Sequence, residues 1–173
     1  QRDKIKKAYL AVDRKIFKVK SDINNTEDIL SKYSLPKKYF LSIASTKPYH
    51  KLLELIKAYE IFIKDTEDTT SLVIITNIHD MDYFKTIQTF ISKNNLNLRV
   101  KIITGISSKD IPSILACAEL YIFPSICEVF GLTNIEAMSC GIPVLTSRLS
   151  AIPEVCADAA IYFNPHDPED LKN

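Results

Sequence analysis

The chain has 173 residues, of which 25% are charged and 46% hydrophobic, and its formal net charge is +1. That length suits one compact domain, and the apolar fraction excludes disordered and collagen-like classes. No apolar run approaches the ~20 residues that a membrane-spanning helix needs, and no signal peptide is recognisable. Only 3 residues are glycine, which argues at first against a nucleotide site built on glycine-rich phosphate loops.

The basic residues are concentrated at the start of the chain. Residues 1–20 contain eight basic and two acidic side chains, so the rest of the chain is acidic overall. Two interpretations of this leader stay open: a solvated linker or helix face, and a peripheral contact with an anionic membrane. The remainder is not basic enough for a nucleic-acid-binding surface. We expect residues 1–35 to form a leader or linker with a short helix, and residues 36–173 to form the domain.

Short apolar segments and amphipathic helical patterns alternate along that domain. In chain order, the pattern predicts a helix over 22–33, a strand over 39–44, a helix over 51–64, a strand over 72–75, a helix over 80–94, a strand over 100–103, a helix over 110–117, a strand over 120–123, a helix over 132–139, a strand over 143–146, a short helix over 152–155 and a strand over 159–163. Asp110 is expected to cap its helix, and Gly141 to stop the following one. Because parallel strands need long crossovers, the alternation predicts an α/β fold: a doubly wound, Rossmann-like parallel sheet with helices on both faces.

Such sheets bind ligands beyond the carboxyl ends of their strands, and the loop after the fourth strand is the richest in candidate residues. Gly131 opens the following helix, so the amides of Leu132 and Thr133 are placed to hold a phosphate group. Glu136 lies about one turn further along, where it can accept hydrogen bonds from vicinal hydroxyls, and Glu128 precedes the turn. The alternative is that Glu136 is a surface helix residue and Glu128 a loop charge.

The four cysteines show no C-x-x-C pair and no spacing that matches a zinc template. They are Cys117, Cys127, Cys140 and Cys156. We expect buried or partly exposed free thiols in a reducing compartment, and no metal site.

Glu128 and Glu136 have seven residues between them, and the sequence then runs Glu-Ala-Met-x-Cys-Gly-x-Pro-Val. With Pro-Ser at 124–125, Phe-Gly-Leu at 130–132 and Pro-Glu-Val at 153–155, this segment closely resembles the C-terminal, donor-binding domain of family 4 (group 1) glycosyltransferases. The resemblance covers most of the chain. It implies one half of a GT-B fold, and transfer of a sugar from a nucleoside-diphosphate sugar with retention of anomeric configuration.

The resemblance also implies roles for individual residues. Glu136 would bind the ribose, and Glu128 would be the catalytic residue that faces the donor sugar. The amides at the start of the helix would hold phosphate oxygens, and the nucleobase would lie near Gly105. No metal or other cofactor is expected, because cations of the protein and the helix end would neutralise the phosphates. The donor-binding residues expected on this basis are Gly105, Phe130, Gly131, Leu132, Thr133 and Glu136.

One departure from the family concerns the loop after the first strand. Relatives usually have glycine followed by arginine or serine there, then a lysine about five residues later, and the arginine and lysine clamp the diphosphate. This chain has Ala44 and Ser45, then His50, with Lys47 inside the loop as a substitute cation. Because imidazole changes its charge between about pH 5 and 8, a histidine carries only part of a charge near neutrality. We include Ser45, Lys47 and His50 in the donor site; the alternative for His50 is a helix-start residue without a ligand.

The resemblance implies partners outside the chain. Residues 1–20 would be the tail of a linker from a missing N-terminal acceptor domain, and we expect the chain to be an excised piece that does not catalyse transfer alone. The acceptor would be a carbohydrate or a lipid-linked molecule in polysaccharide biosynthesis, and the protein cytoplasmic, with a peripheral place at the inner face of the membrane. The nucleobase, donor sugar and acceptor are not readable from these residues.

Two other functions are alternatives. The first is a non-catalytic nucleotide-sugar-binding or scaffolding subunit with a degenerate phosphate clamp. The second is a flavodoxin-like signalling domain, which shares the parallel sheet. It is disfavoured because no acidic cluster follows the first strand.

Overall fold

The computed structural model describes residues 6, 8–23 and 26–172. Within these residues, six strands form the sheet: β1 (Tyr39–Ile43), β2 (Ser71–Ile75), β3 (Val100–Ile103), β4 (Leu120–Phe123), β5 (Val144–Ser147) and β6 (Ile161–Phe163). All neighbouring strands are parallel, in the order β3-β2-β1-β4-β5-β6. The predicted Rossmann-like α/β fold is therefore confirmed, and the strand order reverses between β1 and β4.

Helices connect the strands at the predicted places. In the described part of the chain they are α1 (Thr26–Lys32), α2 (Leu52–Thr66), α3 (Met81–Lys93), α4 (Ile111–Ala116), α5 (Leu132–Ser139), α6 (Ile152–Cys156) and α7 (Pro168–Lys172). Their ends differ from the predicted ones by up to four residues. The sixth strand begins at Ile161 rather than at residue 159. None of the helices in the described ranges combines the length and apolar character needed to span a bilayer.

Both faces of the sheet are apolar because helices cover both of them. Leu72 and Ile74 of β2 pack in a cluster with α2, whose Ile56 is fully buried. Val73, which points to the opposite face, packs in a second cluster with α4 and α5, where Ile114 is fully buried. The near-continuous apolar strands of the sequence follow from this double coverage.

The leader is fixed on the domain by a few contacts. Phe17 packs against the cluster of α4 and α5, and its carbonyl accepts a hydrogen bond from Ser139 Oγ at 2.9 Å. Tyr9 donates a hydrogen bond to Glu154 Oε1 at 2.8 Å. The described basic side chains of the leader are therefore exposed to solvent, whereas Phe17 is partly buried against the domain. The described and exposed basic residues of the leader are Lys6, Arg14, Lys15, Lys18 and Lys20. Residues 1–5 and 7 lie outside the described part, and the division at residue 35 stays a prediction.

Asp110 stands at the start of α4 but does not cap it with its side chain. Its carboxylate accepts hydrogen bonds from Lys32 Nζ at 2.7 Å and from Tyr33 OH at 2.6 Å. The predicted capping role is therefore wrong, because two donors at the end of α1 occupy the carboxylate. The hydrogen bond from Lys32 has the largest effect in lowering the pKa of Asp110, followed by the one from Tyr33. The result is a polar link between α1 and α4.

The cysteines are free thiols, as predicted. Cys117, Cys140 and Cys156 are buried, whereas Cys127 is exposed in the loop after β4. Burial raises the pKa of Cys140 to about 12 and that of Cys156 to about 11. The buried thiols therefore stay protonated near neutral pH, and the reducing compartment stays a prediction.

Candidate functional site

The crevice between β1 and β4 is where this strand order places a ligand site. Doubly wound sheets bind ligands where the order reverses, beyond the carboxyl ends of the two adjacent strands. Here β1 pairs with β2 on one side and with β4 on the other. The loops that follow β1 and β4 border this crevice, and they carry His50 and Glu128, which are far apart in sequence. The site is therefore assembled by the topology.

The loop after β1 is anchored by Thr46, a residue that the sequence analysis missed. Thr46 is fully buried. Its Oγ1 accepts hydrogen bonds from the amides of His79 at 2.9 Å and Asp80 at 3.1 Å. These bonds tie the loop after β1 to the loop after β2. A threonine between two charged or polar positions gives no sequence signal for such a role, because its partners lie more than thirty residues away.

The loop after β4 is held from two sides. The amide of Ile126 donates to the carbonyl of Tyr49 at 2.9 Å, which joins it to the loop after β1. Ser150, in the loop after β5, accepts from the Glu128 amide at 3.0 Å and donates to the Glu128 carbonyl at 2.6 Å. Ser147 Oγ also donates to the carbonyl of Ser125. The backbone of Glu128 is thus fixed, and Ser150 is a second residue that the sequence analysis missed.

His50 and Glu128 meet across the crevice. His50 Nε2 lies 3.4 Å from Glu128 Oε1, and the two side chains are 13% and 20% exposed. His50 Nδ1 lies 2.9 Å from Ser45 Oγ and 2.9 Å from the Ser45 carbonyl oxygen. The rings of Tyr49 and Phe123 pack at centroid distances of 4.5 Å and 6.5 Å from the imidazole. The structure therefore brings Ser45, His50 and Glu128 into one group.

The lysines of the same loop have other contacts. Lys47 Nζ lies 5.7 Å from the centroid of the Tyr49 ring, an arrangement that suits a cation–π interaction. Lys51 has a φ of 54° and its Nζ lies 3.3 Å from Glu54 Oε1. Lys51 therefore points along α2, whereas Lys47 lies against the ring of Tyr49.

Helix α5 starts at the edge of the crevice. Gly131 precedes it with φ 77° and ψ 47°, in the left-handed region that favours glycine. The amides of Leu132 and Thr133 lie in its first turn, where backbone N–H groups have no acceptor within the helix. Asn134 is fully buried, and neither its Oδ1 nor its Nδ2 has a hydrogen-bond partner among the described residues.

Phe130 lies just before that helix and Glu136 about one turn into it, and their surroundings differ. Glu136 is half-buried, and burial raises the pKa of its carboxyl group. The ring of Phe130 lies 6.3 Å from that of Tyr9 in the leader. Phe130 and Glu154 also line a cavity of about 320 Å³ beside the leader. Phe130 thus lies outside the group formed by His50 and Glu128.

A second cavity, of about 260 Å³, lies at the carboxyl ends of β1, β2 and β3. Ser45 and Gly105 both line it, together with Ala44 and Thr76. Gly105 has a φ of 70° and no atom within 4 Å of the position a Cβ would take. Ser45 therefore borders both this cavity and the His50 group. Within the described ranges, no cluster of three or more His, Cys, Asp or Glu side chains could hold a metal ion; that no metal is needed stays a prediction.

Comparison with known proteins identifies the family. The model of the family described as glycosyl transferases group 1 matches residues 25–173. The chain belongs to this family. It is 30% identical over 147 residues to a serotype-specific mannosyltransferase, WbdA, from Escherichia coli, covering 84% of this chain and 18% of the relative. It is 27% identical over 166 residues to an O-antigen chain mannosyltransferase, RfbU, from Salmonella typhimurium, covering 96% of this chain and 45% of the relative. The chain thus spans less than half the length of these relatives.

Solved structures of this group 1 family and its neighbours share the fold. The C-terminal domain of a glycosyl transferase group 1 family protein (LpcC) from Francisella tularensis superposes with a TM-score of 0.79 at 23% identity, covering 94% of this chain and 84% of that chain. Anabaena HepE, solved in complex with UDP and glucose, superposes with a TM-score of 0.80 at 20% identity, covering 95% of this chain and 44% of that chain. The fold is therefore that of a glycosyltransferase domain of the GT-B type.

Proposed function

We propose that this domain binds the nucleoside-diphosphate-sugar donor of a retaining glycosyltransferase. One observation carries the proposal: at the crevice where the strand order reverses, Glu128 precedes the start of α5 and Glu136 lies about one turn into that helix. A helix start attracts the phosphates, and the two carboxylates suit the hydroxyl groups of a ribose and of a sugar. Membership of the group 1 family supports the same function.

Each part of the donor has a proposed place. The diphosphate contacts the amides of Leu132 and Thr133, with His50 and Lys47 as the nearby cations of the loop after β1. The ribose binds Glu136, and the nucleobase occupies the cavity that Ser45 and Gly105 line. Glu128 faces the donor sugar and stabilises the positive charge that develops at its anomeric carbon. The nucleoside diphosphate leaves, and no metal is required because the helix end and the cations neutralise it.

The transfer itself belongs to a longer protein in this proposal. The relatives that support it are named mannosyltransferases, two of them by their role on O-antigen chains, so a mannosyl donor is the first to test. The remaining part would supply the acceptor domain, and the acceptor would be a carbohydrate or a lipid-linked molecule at the cytoplasmic face of the membrane. The basic leader fits a peripheral contact there, and a role in polysaccharide biosynthesis follows from the same relatives.

Titration calorimetry with a panel of UDP-, GDP- and ADP-sugars tests donor binding. We expect one nucleotide class to bind, and Glu136→Gln to weaken it about tenfold or more, because hydrogen bonds to a charged group contribute about 1.5–3 kcal/mol. Glu119→Gln is the matched control, since Glu119 is exposed and precedes β4, at the amino ends of the strands and therefore away from the crevice. Absence of binding by every nucleotide sugar would overturn the proposal. Equal losses in the two variants would remove Glu136 from the site.

A second candidate is a binding or scaffolding subunit that has lost turnover. The observation that favours it is that the loop after β1 offers Ser45 and His50 where the family usually has a stronger cationic clamp. In the complete protein, a transferase rate that collapses in Glu128→Ala would decide for the enzyme. Nucleotide-sugar binding without any transfer to carbohydrate acceptors would decide for the subunit.

A further inference from the structure

The leader runs alongside α5, the helix that opens the proposed donor site. Near the start of that helix, the ring of Tyr9 lies 6.3 Å from the ring of Phe130. At its last residue, Ser139 Oγ donates a hydrogen bond to the carbonyl of Phe17 at 2.9 Å. A helix of this length extends about 12 Å, so the leader contacts α5 at both ends rather than at one point. Tyr9 is therefore held in place by the leader that follows it.

Tyr9 joins two segments of the family signature. Its hydroxyl donates to Glu154 Oε1 at 2.8 Å, and its ring packs beside Phe130. Phe130 belongs to the Phe-Gly-Leu segment and Glu154 to the Pro-Glu-Val segment, and no part of the donor is assigned to either side chain. All three residues line the cavity of about 320 Å³, together with Ile135 and Val155. Tyr9 thus closes one side of the space around the Phe130 ring.

Phe130 is the side chain that can fix the loop between Glu128 and α5. The backbone of Glu128 is held by Ser150 Oγ, through bonds of 3.0 Å and 2.6 Å. Val129 follows with 96% of its surface exposed, so it anchors nothing, and Gly131 has no side chain. Fixing the Phe130 ring therefore fixes the chain that leads from Glu128 into the first turn of α5. Without Tyr9, that ring gains a cavity into which it can move.

We propose that Tyr9 is a positioning residue of the donor site: by packing on Phe130 and bonding Glu154, it holds the loop from Glu128 to Gly131 in place before a donor binds. This inference rests on the proposed donor site. A loop that is already ordered in the free protein loses less conformational entropy on binding, so the affinity for the donor is higher. Tyr9 acts through Phe130, and not by touching the donor.

Amide hydrogen exchange in the free protein tests whether Tyr9 holds the loop. The Glu128 amide donates to Ser150 Oγ at 3.0 Å, so its exchange rate reports opening of this loop. We expect exchange to be about two- to tenfold faster in Tyr9→Ala than in the parent. Ile16→Ala is the matched control, because Tyr9 and Ile16 are 56% and 54% exposed, but Ile16 lies in the turn that starts at Asp13. Equal rates in the parent and Tyr9→Ala would overturn the proposal.

The amide of Ala44 separates a local effect from a loss of global stability. It donates to the Ile75 carbonyl at 3.1 Å, at the end of β1. Its exchange rate should be the same in Tyr9→Ala as in the parent. A rate that rises as much as that of Glu128 would overturn the proposal, because the whole domain would then be less stable.

Calorimetry with UDP-, GDP- and ADP-sugars tests the effect on the donor. We expect Tyr9→Ala to bind the donor that the parent selects about two- to tenfold more weakly, because the loop must then be ordered on binding. Tyr9→Phe keeps the ring against Phe130 and loses only the hydrogen bond, so it should recover most of the affinity. In the Glu154→Ala background, Tyr9→Phe should cause no further loss. Ile16→Ala should bind as the parent does.

The outcomes distinguish failure of the positioning role from failure of the donor site. Equal affinities in the parent and Tyr9→Ala would overturn the role of Tyr9 in donor binding. A loss in Ile16→Ala as large as that in Tyr9→Ala would overturn it too, because any change in the leader would then have the same effect. If the parent bound no nucleotide sugar, the donor site itself would fail, while the exchange of the Glu128 amide would still decide whether Tyr9 holds the loop.

Discussion

Substituting the three glycines by alanine separates backbone strain from side-chain crowding. Gly105, Gly131 and Gly141 have φ values of 70°, 77° and 75°, so alanine carries nearly the same backbone penalty at each. That penalty is about 1 kcal/mol in free energy of unfolding, since a Cβ in the left-handed region meets the following carbonyl group. Gly105→Ala should show this penalty alone, because no atom lies within 4 Å of the new methyl group.

Gly131→Ala should cost more than that. The new Cβ would lie 3.0 Å from Asn134 Nδ2 and 3.6 Å from Ile152 Cγ1. Both neighbours are fully buried, so neither can swing into solvent. Overpacking of this kind adds about 1–3 kcal/mol, which gives a total of about 2–4 kcal/mol. For a domain of this size the melting temperature should fall by about 2–4 °C for each kcal/mol.

Urea unfolding followed by circular dichroism measures these costs, because the chain has no tryptophan for a fluorescence probe. The double variant Gly131→Ala with Asn134→Ala identifies the source of the extra cost. In the Asn134→Ala background, Gly131→Ala should cost about as much as Gly105→Ala does in the parent. Equal costs for Gly131→Ala and Gly105→Ala in the parent would refute the crowding argument.

Three further substitutions test polar groups of the structure. Asn134→Leu should raise the free energy of unfolding by about 1–3 kcal/mol in urea titrations, because it replaces two unpaired buried polar atoms by apolar ones of similar shape; a loss of stability would show that these atoms have partners in solution. Burial raises the pKa of Glu136, so its ionisation opposes folding as the pH rises above 4.5; the stability of Glu136→Gln relative to the parent should therefore be greater at pH 7 than at pH 4, and a constant difference would contradict this. Tyr33→Phe removes the 2.6 Å hydrogen bond to Asp110 and should cost about 1–2 kcal/mol at pH 7. Because the pKa of Asp110 is lowered below 3.8 in the folded protein, that cost should shrink as the pH falls through this range, and it should persist at low pH only if Asp110 is not the partner.

The fold was predictable because its signals are local. Val100–Ile103 and Leu120–Phe123 match the predicted strands, since short β-branched or aromatic runs between turn residues leave few alternatives. Gly131 and Gly141 marked both ends of α5, because glycine is the residue that tolerates positive φ there. The site was predictable only as a set of loops, because the carboxyl ends of parallel strands share one edge.

Pairwise contacts were not predictable, since they depend on which strands become neighbours. Glu128 meets His50 because β4 lies beside β1, and the strand order is not contained in either segment. Asp110 was predicted to cap α4 because it directly precedes that helix. Its actual partners, Lys32 and Tyr33, lie almost eighty residues earlier, so the sequence around Asp110 does not reveal them. Phe17 packs against the core, but its burial was not predicted, because a single aromatic residue among lysines has no periodicity that indicates burial.

The position of Ala44 shows what the departure from the family changes. The resemblance to the group 1 family implies glycine at this place, yet the φ of Ala44 is not positive, and its amide donates to the Ile75 carbonyl at 3.1 Å. The backbone at the end of β1 therefore does not need glycine. Its methyl group instead borders the cavity of about 260 Å³ that Ser45 and Gly105 also line. Ala44 and Ser45 thus change the lining of this cavity, while β1 and its pairing with β2 stay intact.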